Sequence, residues 1–146
     1  MKPSAFLSKD DKALIINAIK SAELNTSGEI RIHIENRCKT GVLDRAAYLF
    51  EKLAMHKTEK RNGVLFYLAV NNNKFAVLGD AGINEVTPDD FWEIIKETML
   101  NHFKENEFAK GLEKGIKMAG EQLKEHFPYK SDDINELSDE ISFGKE

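Results

Sequence analysis

The chain has 146 residues, enough for one domain with a sizeable core and too few for two such domains. Hydrophobic residues make up 41% of the sequence and charged residues 32%, as in a globular protein, and the longest apolar run is too short to cross a bilayer. The net charge of −4 arises in residues 131–146, where six acids face one base, so the nearly neutral remainder has no basic excess for binding nucleic acid or an anionic membrane.

The first residues contain neither the apolar segment nor the cleavage site of a signal peptide, so we expect a cytoplasmic protein. Ser8 and Asp11 have the spacing of a capping box, and apolar residues then recur at helical spacing, which predicts a first helix over residues 9–24. Isoleucines at positions 30, 32 and 34 alternate with Arg31, His33 and Glu35, which predicts a strand with one apolar face. A single cysteine, Cys38, can form no internal disulfide, in agreement with a reducing compartment.

Asp44 is a candidate N-cap for a second helix that ends near Met55. Residues 64–70 are apolar at every position, which is typical of a strand buried on both faces, and a polar turn leads from them into a hairpin partner at residues 75–78. Residues 87–90, Thr-Pro-Asp-Asp, favour the start of a third helix, because they offer an N-cap, a proline at the first helical position and acids in the first turn.

A last long helix begins after Asn106 and is stopped by Pro128. Gly111 and Gly115 lie on one face of it, and each costs about 1 kcal/mol of helix propensity relative to alanine. Close approach of the helix backbone to the sheet would offset that cost.

The predicted order of elements is helix, strand, helix, strand, strand, helix, helix. It indicates an α/β fold, a three-layer helix/sheet/helix sandwich with a small mixed β-sheet, Rossmann-like in its layering. We assign residues 1–130 to this domain and residues 131–146 to an acidic C-terminal tail. In the tail, Ile134, Leu137 and Ile141 have the spacing of a short amphipathic helix.

The predicted topology brings two loops together at one edge of the sheet. A helix between the first two strands makes these strands parallel, whereas the second and third strands form a hairpin, so the third strand ends beside the start of the second. Loops 57–62 and 80–90 therefore meet, and if the first strand is also a neighbour of the second, its start lies at the same edge. The acids at this edge are Glu29, Glu59, Asp80, Glu85, Asp89 and Asp90, and the amides are Asn62 and Asn84.

These six acids are candidate ligands of a divalent metal, with calcium favoured, because hard cations take carboxylate, amide and backbone oxygens. Asp80, Gly82 and Asn84 alternate as at the start of a calcium loop, although Phe91 stands where an EF-hand has its glutamate. In the alternative interpretation, Asp89 and Asp90 only favour the positive end of their helix, Glu59 is solvated and Glu85 is an ordinary loop acid.

Other catalytic patterns are missing from the sequence. Cys38 and Arg45 are one residue too far apart for a cysteine phosphatase, and there is no phosphate-binding P-loop, no nucleophile elbow and no histidine pair at helical zinc spacing. His33 lies on the polar face of the first strand near Arg31, where a structural histidine is the favoured interpretation.

Five short motifs follow one another along the chain: Thr26-Ser27-Gly28-Glu29-Ile30-Arg31, Arg61-Asn62-Gly63-Val64-Leu65, Gly79-Asp80-Ala81-Gly82-Ile83, Phe91-Trp92 and Phe108-Ala109-Lys110-Gly111-Leu112. In this order and spacing they resemble the TPM domain, over about residues 8–128. That domain is named after a thylakoid lumenal acid phosphatase, a photosystem II repair protein and a modulator of nicotinic receptors.

The resemblance implies a helix/sheet/helix sandwich that binds divalent metal, commonly calcium, in loops at one sheet edge. In some plant members it also implies acid phosphatase activity. Mapped onto this chain, the metal-bearing region would run from Asp80 to Asp90. Many bacterial members are exported and have a membrane segment after the domain, which this sequence lacks, and many long members read Gly-Tyr-Gly-Leu-Glu where this chain reads Gly-Asp-Ala-Gly-Ile-Asn-Glu over residues 79–85.

We therefore expect a non-catalytic domain that binds divalent metal and has a metal-responsive regulatory or binding role. One alternative is a weak metal-dependent acid phosphatase, a hydrolase in which the metal activates water and Arg61 holds the phosphate. The other alternative is a protein-interaction module that binds a protein partner through the acidic tail. We expect no nucleic-acid partner and no membrane span.

Overall fold

A mixed four-stranded sheet forms the centre of the computed structural model, which describes residues 3–129 and 141–144. The strands lie in the order β3-β2-β1-β4, with β1 parallel to both of its neighbours and β2 antiparallel to β3. Their bounds are Glu29–Glu35 for β1, Gly63–Ala69 for β2, Lys74–Gly79 for β3 and Ser142–Phe143 for β4.

Helices cover both faces of this sheet, which confirms the predicted helix/sheet/helix sandwich. Helices α1, α4 and α5 pack on one face, and α2 packs on the other. A one-turn helix, α3, connects β3 to α4. The helices are α1 Lys9–Glu23, α2 Val42–Lys52, α3 Ala81–Asn84, α4 Phe91–Lys104 and α5 Phe108–His126, and short 3-10 turns occur at Pro3–Ala5, Met55–Lys57 and Val70–Asn72. Among the described residues, none of the helices combines the length and the apolarity needed to cross a membrane.

The alternation in β1 sends its side chains into two different environments. Ile30, Ile32 and Ile34 are fully buried in the core beneath α1, α4 and α5. On the opposite face, Leu65 and Tyr67 of β2 lie in a second core with α2. Burying a large apolar side chain contributes about 1.5–3 kcal/mol to stability, so the helices on both faces stabilise the sheet. Every residue of β2 is buried, as its apolar sequence predicts.

Helices α2 and α5 begin at residues other than those that the sequence indicated. Helix α2 begins at Val42 with Gly41 as its N-cap, so Asp44 lies in the first turn, where its charge still favours the positive end of the helix. Asn106 does not cap α5. It takes a left-handed conformation with φ 59°, which asparagine tolerates better than most residues, and the helix begins two positions later.

The connection between β3 and α4 is more ordered than expected. Asp80 is the N-cap of α3, in a stretch that the sequence indicated as loop. Helix α4 then begins at Phe91 instead of Pro88, because residues 88–90 form a turn that the Phe91 N–H closes on the Pro88 carbonyl at 3.0 Å. Asp89 and Asp90 therefore precede the helix and do not lie within its first turn.

Strand β4 adds a fourth strand that the sequence did not predict. It pairs in parallel with the end of β1, matching Ser142 with His33 and Phe143 with Ile34. Of the three apolar residues of the predicted tail helix, Ile134 and Leu137 lie outside the described residues, whereas Ile141 is not helical, because it leads directly into β4.

The glycines of α5 allow close helix packing, as expected, although the neighbour is mainly a helix. A Cβ on Gly115 would lie 2.7 Å from the Met99 sulfur in α4 and 2.9 Å from the Phe66 ring in β2, and a Cβ on Gly111 would lie 2.7 Å from the Phe103 ring in α4. Of these two glycines, Gly115 is the one that approaches the sheet.

Candidate functional site

Three buried polar residues lie at the end of the sheet where β1 and β2 begin and β3 ends. Glu29 pairs with Gly63 across the parallel ladder, and its N–H donates to the Asn62 carbonyl at 3.4 Å. The Asp80 N–H donates to the Gly63 carbonyl at 2.9 Å. Glu29, Asn62 and Asp80 are only 2%, 1% and 7% exposed. The predicted topology brings all three residues to this edge, and we call them the edge trio.

Asp80 is neutralised by a neighbouring side chain. The Arg61 guanidinium donates from Nε and Nη2 to the two Asp80 carboxylate oxygens at 2.7 and 2.8 Å, and the Ala81 N–H donates to Oδ1 at 2.7 Å. This ion pair raises the pKa of Arg61. The Arg61 side chain is 52% exposed, so the arginine of this ion pair is accessible to solvent while the aspartate is buried. A cation that binds Asp80 must therefore compete with Arg61.

The two predicted loops are in direct contact. The Gly82 N–H donates to the Arg61 carbonyl at 2.8 Å, and a Cβ on Gly82 would collide with the carbonyl oxygen of Lys60. Arg61 itself has φ 52°, in the left-handed region that few non-glycine residues adopt. Only a residue without a side chain allows this approach, so Gly82 fixes the start of α3 against loop 57–62.

Asn62 contains a polar atom that the surrounding residues do not satisfy. Its Nδ2 donates to the Ser27 hydroxyl at 3.3 Å, and its backbone N–H donates to the Thr58 hydroxyl at 3.3 Å. Its Oδ1 is buried and has no hydrogen-bond partner among the described residues. An unsatisfied buried oxygen costs about 1–3 kcal/mol, so this atom gains from any donor or cation that reaches it.

The structure separates the six candidate acids into two groups. Glu29 and Asp80 are buried in the edge trio, whereas the other four are exposed: Glu59, Glu85, Asp89 and Asp90. Within the described part of the chain, His, Cys, Asp and Glu side chains form no group of three or more that could hold a metal ion. The donors that remain are carboxylate, amide and backbone oxygens, which suit calcium or magnesium better than zinc.

A second polar network, which was not predicted from the sequence, lies on the α2 face of the sheet. Its centre is Glu35, which accepts two hydrogen bonds from Arg45 in α2, both at 2.9 Å. The Tyr67 hydroxyl donates to Glu35 Oε2, and His33 Nε2 lies 3.3 Å from Oε1. His33 Nδ1 is in turn 2.9 Å from the hydroxyl of Ser142 in β4. The network therefore joins three strands and one helix.

Burial and bonding shift the pKa values in this network. Burial alone would raise the pKa of Glu35, but the hydrogen bonds from Arg45 and Tyr67 outweigh it and hold that pKa below its usual value. Burial lowers the pKa of His33, and burial with the Glu35 bond raises that of Tyr67. Three side chains surround the Glu35 carboxylate, so it is a structural anion and not an acid or base open to substrate.

The sequence did contain a signal for this network. Arg31, His33 and Glu35 alternate with the buried isoleucines and so share the other face of β1. The missing information was the register with β2, which pairs His33 with Tyr67, and the position of Arg45 above the sheet.

Comparison with known proteins identifies similar sequences and folds. The sequence profile of the TPM domain matches residues 1–122. The solution structure of BA42, a protein from the psychrophilic bacterium Bizionia argentinensis, superimposes with a TM-score of 0.89 at 45% identity, over 95% of this chain and 96% of that one. No curated protein matches the sequence.

Two more distant structures share the fold alone. The N-terminal domain of a P. gingivalis protein gives a TM-score of 0.67 at 19% identity, over 86% of this chain and 83% of that one. The N-terminal domain of the cg2496 protein from Corynebacterium glutamicum gives 0.62 at 13% identity, over 80% and 74%.

Proposed function

The chain belongs to the TPM domain family, and we propose that it binds a divalent cation, with calcium favoured, at the edge trio of Glu29, Asn62 and Asp80. The observation that carries the proposal is the buried Oδ1 of Asn62, which has no hydrogen-bond partner among the described residues, at the end of the sheet that also holds the buried Glu29 and Asp80. Together they supply the hard oxygen donors that calcium takes, and backbone carbonyls or water would complete the shell. The proposed role is regulatory or in binding, with the cation as the signal.

Arg61 lowers the affinity of this site for a cation, because the cation must displace it from Asp80. Its guanidinium supplies the positive charge at Asp80, and a divalent cation would take its place. Half of the Arg61 side chain already faces solvent, so the released guanidinium can be hydrated without rearrangement of the core. Cation binding would therefore free an arginine at the surface, which is a change that a partner can detect.

A calcium titration followed by amide chemical shifts tests the proposal. We expect shifts concentrated in residues 57–63 and 79–84, and a melting temperature that rises with calcium, because a ligand at about 100 times its Kd stabilises the folded state by about 2.7 kcal/mol. Asp80→Asn, which can still accept a hydrogen bond from Arg61, should lose most of the affinity. Arg61→Gln should bind calcium several-fold more tightly, because the competing charge is gone while the backbone strain is unchanged.

Glu59→Gln is the matched control, since Glu59 is an exposed acid in the same pair of loops. We expect it to bind calcium like the parent protein. If it loses affinity as Asp80→Asn does, the ligands are exposed loop acids and the edge trio is the wrong site. Unchanged shifts and an unchanged melting temperature would exclude cation binding altogether.

The half-exposed guanidinium of Arg61 supports a second candidate function, a metal-dependent phosphatase. Beside a bound cation, a planar arginine fork could hold a phosphate while the metal activates water. The same Arg61→Gln variant separates the two functions, because it should tighten calcium binding but abolish turnover of an aryl phosphate. Absence of turnover in the parent protein at acid and neutral pH would leave cation binding alone. Binding of a partner through the acidic tail concerns residues that lie largely outside the described part of the chain.

A further inference from the structure

The outer edge of β1 is occupied near its end by a short segment of the chain itself, residues 141–144. The Gly144 N–H donates to the Ile34 carbonyl at 2.7 Å, and Ser142 and Phe143 pair with His33 and Ile34. An exposed strand edge presents unpaired backbone groups and accepts extended peptides readily. We call the edge of β1 at residues 33–35 the edge seat.

Side chains of the edge seat select which residues can occupy the strand that pairs with it. The Ser142 hydroxyl bonds to His33 Nδ1 at 2.9 Å, which selects a hydroxyl at that position. A Cβ on Gly144 would lie 2.5 Å from the Glu35 Cβ and 3.2 Å from its Oε1, which selects glycine. Glu35 cannot move aside, because Arg45 and Tyr67 hold its carboxylate.

Apolar contacts complete the recognition on the other face of the segment. Ile141 and Phe143 pack against the main core, and the Lys12 ammonium lies 5.5 Å from the centre of the Phe143 ring, within range of a cation–π contact. The edge seat thus fits the pattern apolar, Ser, aromatic, Gly in an extended conformation.

Few interactions hold residues 141–144 in the fold. The strand is two residues long, below the usual three to ten, and all four residues of the segment remain partly exposed. Eleven residues, 130–140, separate it from the end of the domain's last helix and its Tyr129 extension. Few backbone bonds must break to release it, and its connection to the domain is long.

We propose that the edge seat is a binding site for a partner protein, which inserts an extended apolar–Ser–aromatic–Gly segment as an added strand, and that residues 141–144 are an internal ligand which the partner displaces. The internal ligand itself shows which chemistry fits. The edge seat lies at the opposite end of β1 from Glu29, so this proposal is independent of cation binding, and either can fail alone.

The test uses the full chain with a protease site placed between Lys130 and Asp139. The protein is folded and purified intact and then cut, and a fluorescein-labelled peptide of residues 139–146 is added. We expect the labelled peptide to exchange onto the protein, with a rise in fluorescence anisotropy, and an unlabelled copy to reverse it. A Gly144→Val peptide should compete at least about tenfold more weakly, equivalent to about 1.4 kcal/mol.

Matched controls make the result decisive. A Lys145→Ala peptide, changed outside the contacts described, should compete like the parent peptide, and a Ser142→Ala peptide should compete more weakly. A His33→Gln protein should no longer distinguish the Ser142→Ala peptide from the parent peptide, and the peptide variants remain informative if that protein fails to fold. Three outcomes overturn the proposal: no exchange at millimolar peptide, equal competition by a scrambled peptide, or a dimer of the uncut chain in which only a second copy fills the edge seat.

Discussion

At the scale of single residues, Glu35 is a buried anion whose carboxylate contacts three neighbouring side chains, of which Arg45 supplies the compensating charge. Its side chain is 9% exposed, and Arg45 contributes two charge-assisted hydrogen bonds. Hydrogen bonds to a charged group contribute about 1.5–3 kcal/mol each in typical proteins, so we expect Glu35→Gln to lower the free energy of unfolding by about that amount at pH 7.

The pH dependence identifies the charge as the cause. The pKa of Glu35 is lower in the folded state than its ordinary value of 4.5, so its contribution is complete above that pH and is lost as the pH falls below it. Urea unfolding at pH 7, 5 and 3.5 should therefore show the gap between parent and Glu35→Gln closing at low pH. Glu51→Gln, an exposed acid in α2, serves as the control and should stay within about 0.5 kcal/mol. A gap independent of pH would show that shape, and not charge, is lost.

At the scale of elements, the packing of α5 on α4 depends on Gly115. Alanine would gain about 1 kcal/mol of helix propensity, but its Cβ would lie within 3 Å of both Met99 and the buried Phe66 ring. Overpacking a well-filled core costs about 1–3 kcal/mol, so we expect Gly115→Ala to be net destabilising by about 1 kcal/mol in thermal or urea unfolding. Lys117→Ala, on the exposed face of the same helix, is the control. A stabilised Gly115→Ala would mean that Met99 moves aside freely.

Elements with a long periodic pattern could be predicted from the sequence, and their boundaries could not. Helix α1 and strands β1 to β3 are close to their predicted positions because each depends on repeated burial of apolar side chains. The starts of α2, α4 and α5 depend on single backbone conformations, such as the left-handed Asn106, that no pattern reveals. Strand β4 escaped prediction because two residues carry no periodicity, and its position follows from the open edge of β1.

The position of the candidate site could likewise be predicted from the sequence, whereas its details could not. Topology alone brought Glu29, Asn62 and Asp80 to one edge, because parallel and hairpin connections fix which strand ends are neighbours. It could not distinguish the buried acids from the exposed ones, Glu59 and Glu85 among them, since that depends on the turn of α3 and on the Gly82 contact. Topology also could not show that the Arg61 guanidinium forms an ion pair with the Asp80 carboxylate.

At the scale of the whole molecule, β1 carries two polar centres at its two ends, the edge trio and the Glu35 network. Glu35 lies six positions after Glu29, which is roughly 20 Å along a strand at about 3.3 Å per residue. Effects of changes this far apart, with no shared partner, usually add within about 0.5 kcal/mol. We therefore expect the losses of unfolding free energy in Asp80→Asn and Glu35→Gln to sum in the double variant.

The same separation makes a prediction for ligand binding. Calcium should raise the melting temperature of Glu35→Gln by as much as that of the parent protein, since the edge trio is intact in both, whereas Asp80→Asn should respond much more weakly at the same calcium concentration. Differential scanning calorimetry of the parent protein, the two single variants and the double variant, with calcium and with a chelator, measures each of these melting temperatures. A calcium effect that shrinks in Glu35→Gln would mean that β1 transmits a change from one end to the other. The sheet would then couple the cation to the edge seat, because Glu35 contacts Gly144 there.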